Sequence, residues 1–155
     1  MQSDEAFDDW MAAALDQARL APDHGDVPVG SVVLRLDTGE IVARAHNDRE
    51  RTGDPSAHAE LLALRQAAEK AGGWRLDQHA LVVTLEPCPM CAGALWAARV
   101  PLLVFGAPDP KAGSAGSLYN FAADPRLNHE TKVVCGVRAE ECANLLTAFF
   151  AERRE

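Results

Sequence analysis

The sequence predicts an α/β protein, a three-layer α-β-α sandwich with a central mixed five-stranded sheet. Three observations carry that expectation. Stretches with helical three-and-four spacing alternate along the chain with short β-branched, apolar runs. One pair of these runs is joined by a four-residue polar turn, whereas helices separate the later ones, so hairpin and crossover pairing both occur. The third is size: 155 residues, 48% apolar and 25% charged, support a single soluble core, which we take as one domain over 1–155.

Taken in order, Phe7, Trp10, Met11, Ala14, Leu15 and Ala18 share one helical face, and Pro22 with Gly25 ends that first helix. Val29 to Leu36 and Ile41 to Ala43 flank Asp37-Thr38-Gly39-Glu40, a β-hairpin signal. A loop is expected over 47–55. Residues 57–71 are good helix formers with an apolar stripe of Leu61, Leu62, Leu64, Ala67 and Ala68, stopped by Gly72-Gly73. Ala80 to Leu85 reads as a strand, and Pro87 and Pro89 bracket Cys88 before a helix over 90–99. Leu102 to Phe105 forms a further strand, Gly106 to Gly116 a loop, Leu118 to Ala122 a short helix and Lys132 to Cys135 a last strand. The closing helix spans 139–154, its apolar face built from Cys142, Leu145, Leu146, Phe149 and Phe150.

No run approaches the roughly 20 apolar residues of a membrane span, so no membrane role is expected. The acidic start Met1-Gln2-Ser3-Asp4-Glu5 lacks the basic region and apolar run of a secretory signal, which gives a cytoplasmic expectation. In a reducing cytosol the close pair Cys88 and Cys91 favours metal or redox chemistry over a disulfide, whereas Cys135 and Cys142 read as buried structural thiols. A net charge of −8 argues against indiscriminate nucleic-acid binding and leaves room for a local basic patch.

His58-Ala59-Glu60 opens one predicted helix and Pro87-Cys88-Pro89-Met90-Cys91 opens the next, so two helix starts can converge on one point. One imidazole and two thiolates fill three positions of a tetrahedral zinc ion, and three protein ligands leave a position for water, the pattern of catalytic sites. The partial positive charge of helix N-termini favours thiolates there. Glu60, two residues beyond His58, diverges from it around the helix and can lean over the metal to take a proton without ligating.

Other readings of these residues are a thioredoxin-like redox pair, which leaves the His-x-Glu segment idle, and a structural zinc site. The latter needs a fourth ligand from His24, His46, His79 or His129, none of which has tight spacing to the rest. Glu60 could merely complement its helix dipole.

The spacing is the known signature of zinc-dependent base deaminases. Beyond it, Val27-Pro28-Val29-Gly30, Asn47, Pro55 to Glu60, Thr84 to Ala94, Phe105-Gly106-Ala107, Gly116-Ser117-Leu118, Asn128-His129 and Phe149-Phe150 resemble the bacterial tRNA-specific adenosine deaminases along nearly the whole chain. These belong to the cytidine/deoxycytidylate deaminase superfamily. The zinc motifs define only that superfamily; the Ala-Gly-Ser-Leu, Asn-His and final Phe-Phe pieces point to the tRNA branch.

The resemblance implies a cytidine-deaminase-like fold, one Zn2+ per subunit held by His58, Cys88 and Cys91, and hydrolytic deamination of adenosine to inosine at the wobble position of a tRNA anticodon. Zinc-activated hydroxide attacks the flipped base while Glu60 protonates first the ring nitrogen and then the departing amino group. It further assigns Asn47 to the target nucleoside, the backbone of Ala59 and Pro87 to the base edge, Asp109 and Lys111 to flanking nucleotides and Phe150 to an RNA-facing position. The partners it implies are the tRNA anticodon stem-loop and a second copy in a homodimer.

Each assignment has a plainer counterpart: Asn47 and Asp109 as turn residues, Phe150 as core. Pro108 replaces a basic residue frequent in the family, so the cations for RNA must come from Lys111, Arg126, Lys132, Arg153 and Arg154. The competing functions are a deaminase of free guanine, cytosine or their nucleosides, which shares the zinc core, and an interaction module in which zinc only supports folding.

Overall fold

The computed structural model describes residues 3–153. The first helix, α1 (Asp4–Ala18), begins where the Ser3 hydroxyl accepts the Ala6 amide at 3.2 Å, with Asp4 and Glu5 complementing the N-terminal dipole. Trp10, Met11, Ala14, Leu15 and Ala18 are its buried face. A single 3-10 turn (Ala21–His24) follows and ends on Gly25 in the left-handed conformation, as the Pro22 and Gly25 signals require.

The predicted hairpin is strands β1 (Gly30–Arg35) and β2 (Ile41–His46), paired antiparallel with Val32 opposite Arg44 and a register shift between Val33 and Leu34. The 47–55 segment, expected as loop, contains a four-residue helix α2 (Arg49–Thr52), ended by left-handed Gly53. One turn with no buried residue carries no periodic signal, and it is held by the Arg51–Asp48 ion pair rather than by packing.

The remaining elements are α3 (Ala59–Ala71), β3 (His79–Leu85), α4 (Pro89–Ala97), β4 (Leu102–Ala107), β5 (Lys132–Val134) and α5 (Ala139–Arg153). Residue 154, where the closing helix was expected to end, lies outside the described residues.

Among the described residues five strands form one mixed sheet, in the order β2-β1-β3-β4-β5. Strand β1 is antiparallel to both β2 and β3, whereas β3–β4 and β4–β5 are parallel, the first joined through helix α4 and the second through the long non-helical segment 108–131. Parallel pairing therefore holds from β3 onward, and β3 also joins the hairpin antiparallel through β1.

Successive residues of β1 feed opposite cores. Val32 and Leu34 pack with Trp10, Met11, Leu15, Val82, Val104 and Cys142 under α1 and α5. Val33 packs with Ala63, Leu64, Leu81, Val83, Leu95 and Leu103 under α3 and α4. The expected three layers result. Helix α1 lies so close to β1 that a Cβ on Gly30 would overlap the Ala14 carbonyl oxygen and the Ala18 amide nitrogen.

Three expectations need correction. Residues 118–122 do not form a helix: the amides of Leu118 and Tyr119 both donate back to the Gly113 carbonyl, and Phe121 donates to Ser114. These bonds wrap the segment onto the preceding loop, so the amides never make the i−4 ladder. Cys135 is exposed, because β5 ends at Val134 and leaves it on the following turn, while Cys142 is buried as expected. Phe150 is 45% exposed, whereas its neighbour Phe149 takes the core position. Among the described residues no helix is long and apolar enough to cross a membrane.

Candidate active site and metal centre

The site is made by two helix starts on one face of the sheet. His58 is the N-cap residue of α3 in an extended conformation (φ −78, ψ 149), which turns its side chain out of the helix. After β3 ends at Leu85, Glu86-Pro87 delivers Cys88, the N-cap residue of α4, again extended (φ −72, ψ 175), with Pro89 fitting the first turn where no amide partner is needed. Cys91 lies one turn along α4 and is fully buried.

The three donors converge. His58 Nδ1 is 3.5 Å from Cys88 Sγ and 3.4 Å from Cys91 Sγ. A tetrahedral zinc ion with standard Zn–N and Zn–S lengths separates imidazole nitrogen from thiolate sulfur by roughly 3.5 Å, so these atoms already stand at the edges of such a tetrahedron. Among the described residues no fourth His, Cys or carboxylate joins this group. The histidines considered as fourth ligands are engaged elsewhere or remote: His24 groups with Asp26 and Asp48, His46 contacts Gln17 and His129 contacts the Val100 carbonyl, while His79 stands at the opposite end of β3.

The electrostatics agree with a cation at this point. The Cys91 thiol and His58 hold the Cys88 sulfur down to about 4, well below an ordinary thiol, against the opposing effect of burial. Cys91, sharing its proton with Cys88 in a buried and anionic setting, is pushed far up. His58 is raised, chiefly by its hydrogen bond with Cys88. Two sulfurs this close cannot both ionise unaided, and a dication supplies the charge that lets them. The residues fit zinc.

Glu60 follows in the first turn of α3, only 4% exposed. Burial lifts its carboxyl to about 7, against the lowering effects of its backbone amide and His58. A carboxyl near neutrality beside the metal donors has the poise of a group that both takes and gives a proton.

Asn47, 8% exposed at the end of β2, uses its Oδ1 to accept the Ala59 amide at 2.9 Å. The Ala59 carbonyl accepts the Ser31 hydroxyl at 2.7 Å, and the Pro87 carbonyl accepts the Ser114 amide at 2.8 Å. The structure thus draws Asn47, Ala59 and Pro87 to the metal donors while giving each an internal partner. Among the described residues the Asn47 Nδ2 group has no hydrogen-bond partner.

Asp109 stands on the loop after β4, where its Oδ1 accepts the amides of Lys111 and Ala112, so the turn reading of this residue applies as well. Lys111 is exposed on the same loop. Phe150 sits apart, on a helix covering the other face of the sheet, edge-on to Phe149 at 5.3 Å. Of the cations considered for RNA, Arg126 pairs with Asp124 at 2.6 Å, Arg153 stacks on Phe149 and Lys132 is exposed; Arg154 lies outside the described residues.

Sequence reasoning passed over Glu86. It is 2% exposed, and its carboxylate accepts the amides of Asp109, Ala115 and Ser117, each at 3.0 Å, and the Ser117 hydroxyl. Burial alone would raise this carboxyl, but the four hydrogen bonds outweigh it and hold the group below its ordinary value. The available signal was a charged residue at the end of an apolar strand, directly before Pro87-Cys88. Asp26 is a second such residue, 2% exposed, meeting His24 Nδ1 at 2.8 Å and accepting the Glu50 amide at 3.0 Å beside α2.

Comparison with known proteins agrees with this geometry. Residues 5–154 match the MafB19-like deaminase family. The tRNA-specific adenosine deaminase of Bacillus subtilis (strain 168) is 48% identical over 155 residues, covering 100% of this chain and 93% of the relative. A solved structure from work on A-to-I editing by tRNA:A34 deaminases at the wobble position of transfer RNA superposes with a TM-score of 0.84 at 39% identity, over 89% of this chain and 99% of that one. The guanine deaminase of Nitrosomonas europaea, at 24% identity and a TM-score of 0.78 over 93% of this chain and 84% of that one, shares the fold.

Proposed function

The chain belongs to the MafB19-like deaminase family, among relatives that are tRNA-specific adenosine deaminases, and from that premise we propose that it hydrolytically deaminates adenosine to inosine at the wobble position of a tRNA anticodon. The observation that carries this reading is the convergence of His58, Cys88 and Cys91 at tetrahedral-edge distances beside buried Glu60.

His58, Cys88 and Cys91 hold one zinc ion per subunit. When bound, the ion supplies Lewis-acid activation of water for attack on the amino-bearing ring carbon. Glu60 takes the proton released by that water and returns protons to the ring nitrogen and the departing amino group, which leaves as ammonia. Asn47 donates through Nδ2 to the target nucleoside, and the backbone of Ala59 and Pro87 borders the base edge. The loop carrying Asp109 and Lys111 meets nucleotides beside the target, and exposed Phe150 offers an aromatic face to RNA.

A homodimer is part of this reading. Helix α4, Pro-Met-Cys-Ala-Gly-Ala-Leu-Trp-Ala, is apolar all round, yet only part of it faces the sheet. Apolar grooves flank it on both sides, one of about 440 Å³ lined by Leu61, Trp74 and Ala97, the other of about 500 Å³ lined by Met90, Trp96 and Phe121. A second copy covers this surface, and light scattering at micromolar concentration should give twice the chain mass. Acting on tRNA, the protein works in the cytoplasm.

The deciding experiment incubates the zinc-loaded protein with an adenosine-wobble anticodon stem-loop and, separately, with free adenosine, cytidine and guanine. Inosine from the stem-loop alone is expected. Turnover of a free base or nucleoside with the stem-loop untouched would overturn the RNA assignment in favour of a free-base deaminase. Zinc binding without turnover of any of these substrates would favour the folding module, against which buried Glu60 and the three-donor set already count.

A further inference from the structure

Glu86 directly precedes Pro87 in the chain, but its side chain is turned away to another segment and hydrogen-bonds to no metal donor among the described residues. The carboxylate is buried, and all four of its donors come from one stretch of chain, residues 109–117: the amides of Asp109, Ala115 and Ser117 at 3.0 Å each, and the Ser117 hydroxyl. A buried carboxylate is costly unless each oxygen is hydrogen-bonded, and here both are. The same stretch is fastened to the next residue, since the Ser114 amide donates to the Pro87 carbonyl at 2.8 Å; the Glu86 amide donates to Ala107 at the end of β4, 2.9 Å away. Gly113 is required for this closeness, because a Cβ there would overlap the Glu86 carboxylate and the Asp109 carbonyl. Glu86 thus joins the turn that delivers Cys88 to the loop that carries Asp109 and Lys111.

We propose that Glu86 is a positioning residue that sets the 109–117 loop in register with the metal-ligand turn, and so governs how RNA flanking the target base is gripped. The proposal rests on the function stated above for the part that concerns RNA. It separates binding from chemistry: the loop contacts neighbours of the target, so its loss weakens engagement of the stem-loop while the metal donors and Glu60 keep their geometry.

Glu86→Gln is close in shape but turns an amino group toward amide donors, so at least one of the present bonds fails. The variant, loaded with zinc, should keep one metal ion per chain and a kcat within about twofold of wild type, with the stem-loop KM raised at least tenfold. Trypsin, which cleaves after exposed Lys111, should cut the loop several times faster. Ser117→Ala, which removes a single donor, should shift both readouts in the same direction by a smaller factor, and it decides the matter if Glu86→Gln does not fold. An unchanged KM and an unchanged cleavage rate after Lys111 overturn the proposal, as does a loss confined to kcat or to bound zinc. Wild-type protein inactive on the stem-loop overturns the RNA function instead; the cleavage rate then still decides whether Glu86 holds the loop.

Discussion

The Asn47 side-chain oxygen accepts the Ala59 amide hydrogen at 2.9 Å, which ties the end of β2 to the first turn of the helix that begins with His58. One side chain therefore closes a helix start and stands beside the proposed base site. Two substitutions separate those roles. Asn47→Ala strands a buried amide and should lower stability by about 1–3 kcal/mol in urea unfolding. Asn47→Asp retains the acceptor and should keep most of that stability, yet it lacks the Nδ2 donor and should lose at least tenfold in kcat/KM on the stem-loop. Equal activity in Asn47→Asp and wild type would leave only the capping role.

Glu60→Gln should bind a full equivalent of zinc and lose about 10²–10⁴-fold in turnover, the usual contribution of a positioned proton shuttle. Metal analysis on the same sample as the inosine assay makes the outcome unambiguous, because a loss of zinc would place Glu60 in metal retention instead.

Removal of the ion should be reversible in its effect on activity. A chelator that strips zinc should abolish turnover and lower the thermal midpoint, and added zinc should restore both; Cys88→Ser and His58→Ala should bind zinc too weakly for recovery at equimolar metal. Full activity in a protein shown to be metal-free would remove zinc from the reaction.

His79 supplies a pH test far from the metal donors, at the opposite end of β3. Burial, with a smaller effect from Arg35, lowers its value below the ordinary 6.5. The unfolded chain therefore takes up a proton there at a higher pH than the fold does. This contribution is fully present above about 6.5 and is lost as the pH falls towards the folded value, so stability should rise with pH across that window. His79→Gln should show a shallower slope of thermal midpoint against pH between about 7 and 5. Parallel slopes would show that His79 does not titrate with unfolding.

Gly30→Ala should destabilise by about 2–3 kcal/mol, because its Cβ would press on backbone atoms of α1 that cannot rotate aside. Denaturant unfolding reads this directly, and a change under about 0.5 kcal/mol would mean that α1 shifts at little cost.

Elements with their own periodicity were legible in the sequence. Met11, Ala14, Leu15 and Ala18 marked α1, the Asp37 to Glu40 turn marked the hairpin, and the donors His58, Cys88 and Cys91 marked two helix starts on one point. What escaped carries no periodic signal of its own. The four residues of α2 have no apolar stripe, and the fate of 118–122 is decided by the Gly113 carbonyl, which outcompetes a helical ladder. Phe149 and Phe150 are identical in composition and differ only in which one the helix rotates inward. The role of Glu86 rests on amides between 23 and 31 residues away, whose positions no local pattern reveals.

His58 and Cys88 are 30 residues apart, and the chain between them contains all of α3 and the central strand β3. An ion bridging them is therefore also a cross-link that closes a loop of that length. Because the donors meet only in the fold, the free energy of binding the ion adds to that of folding, and the stabilisation grows with free zinc. The middle of the sheet would thus be secured by a bond that forms only once the chain has found its register.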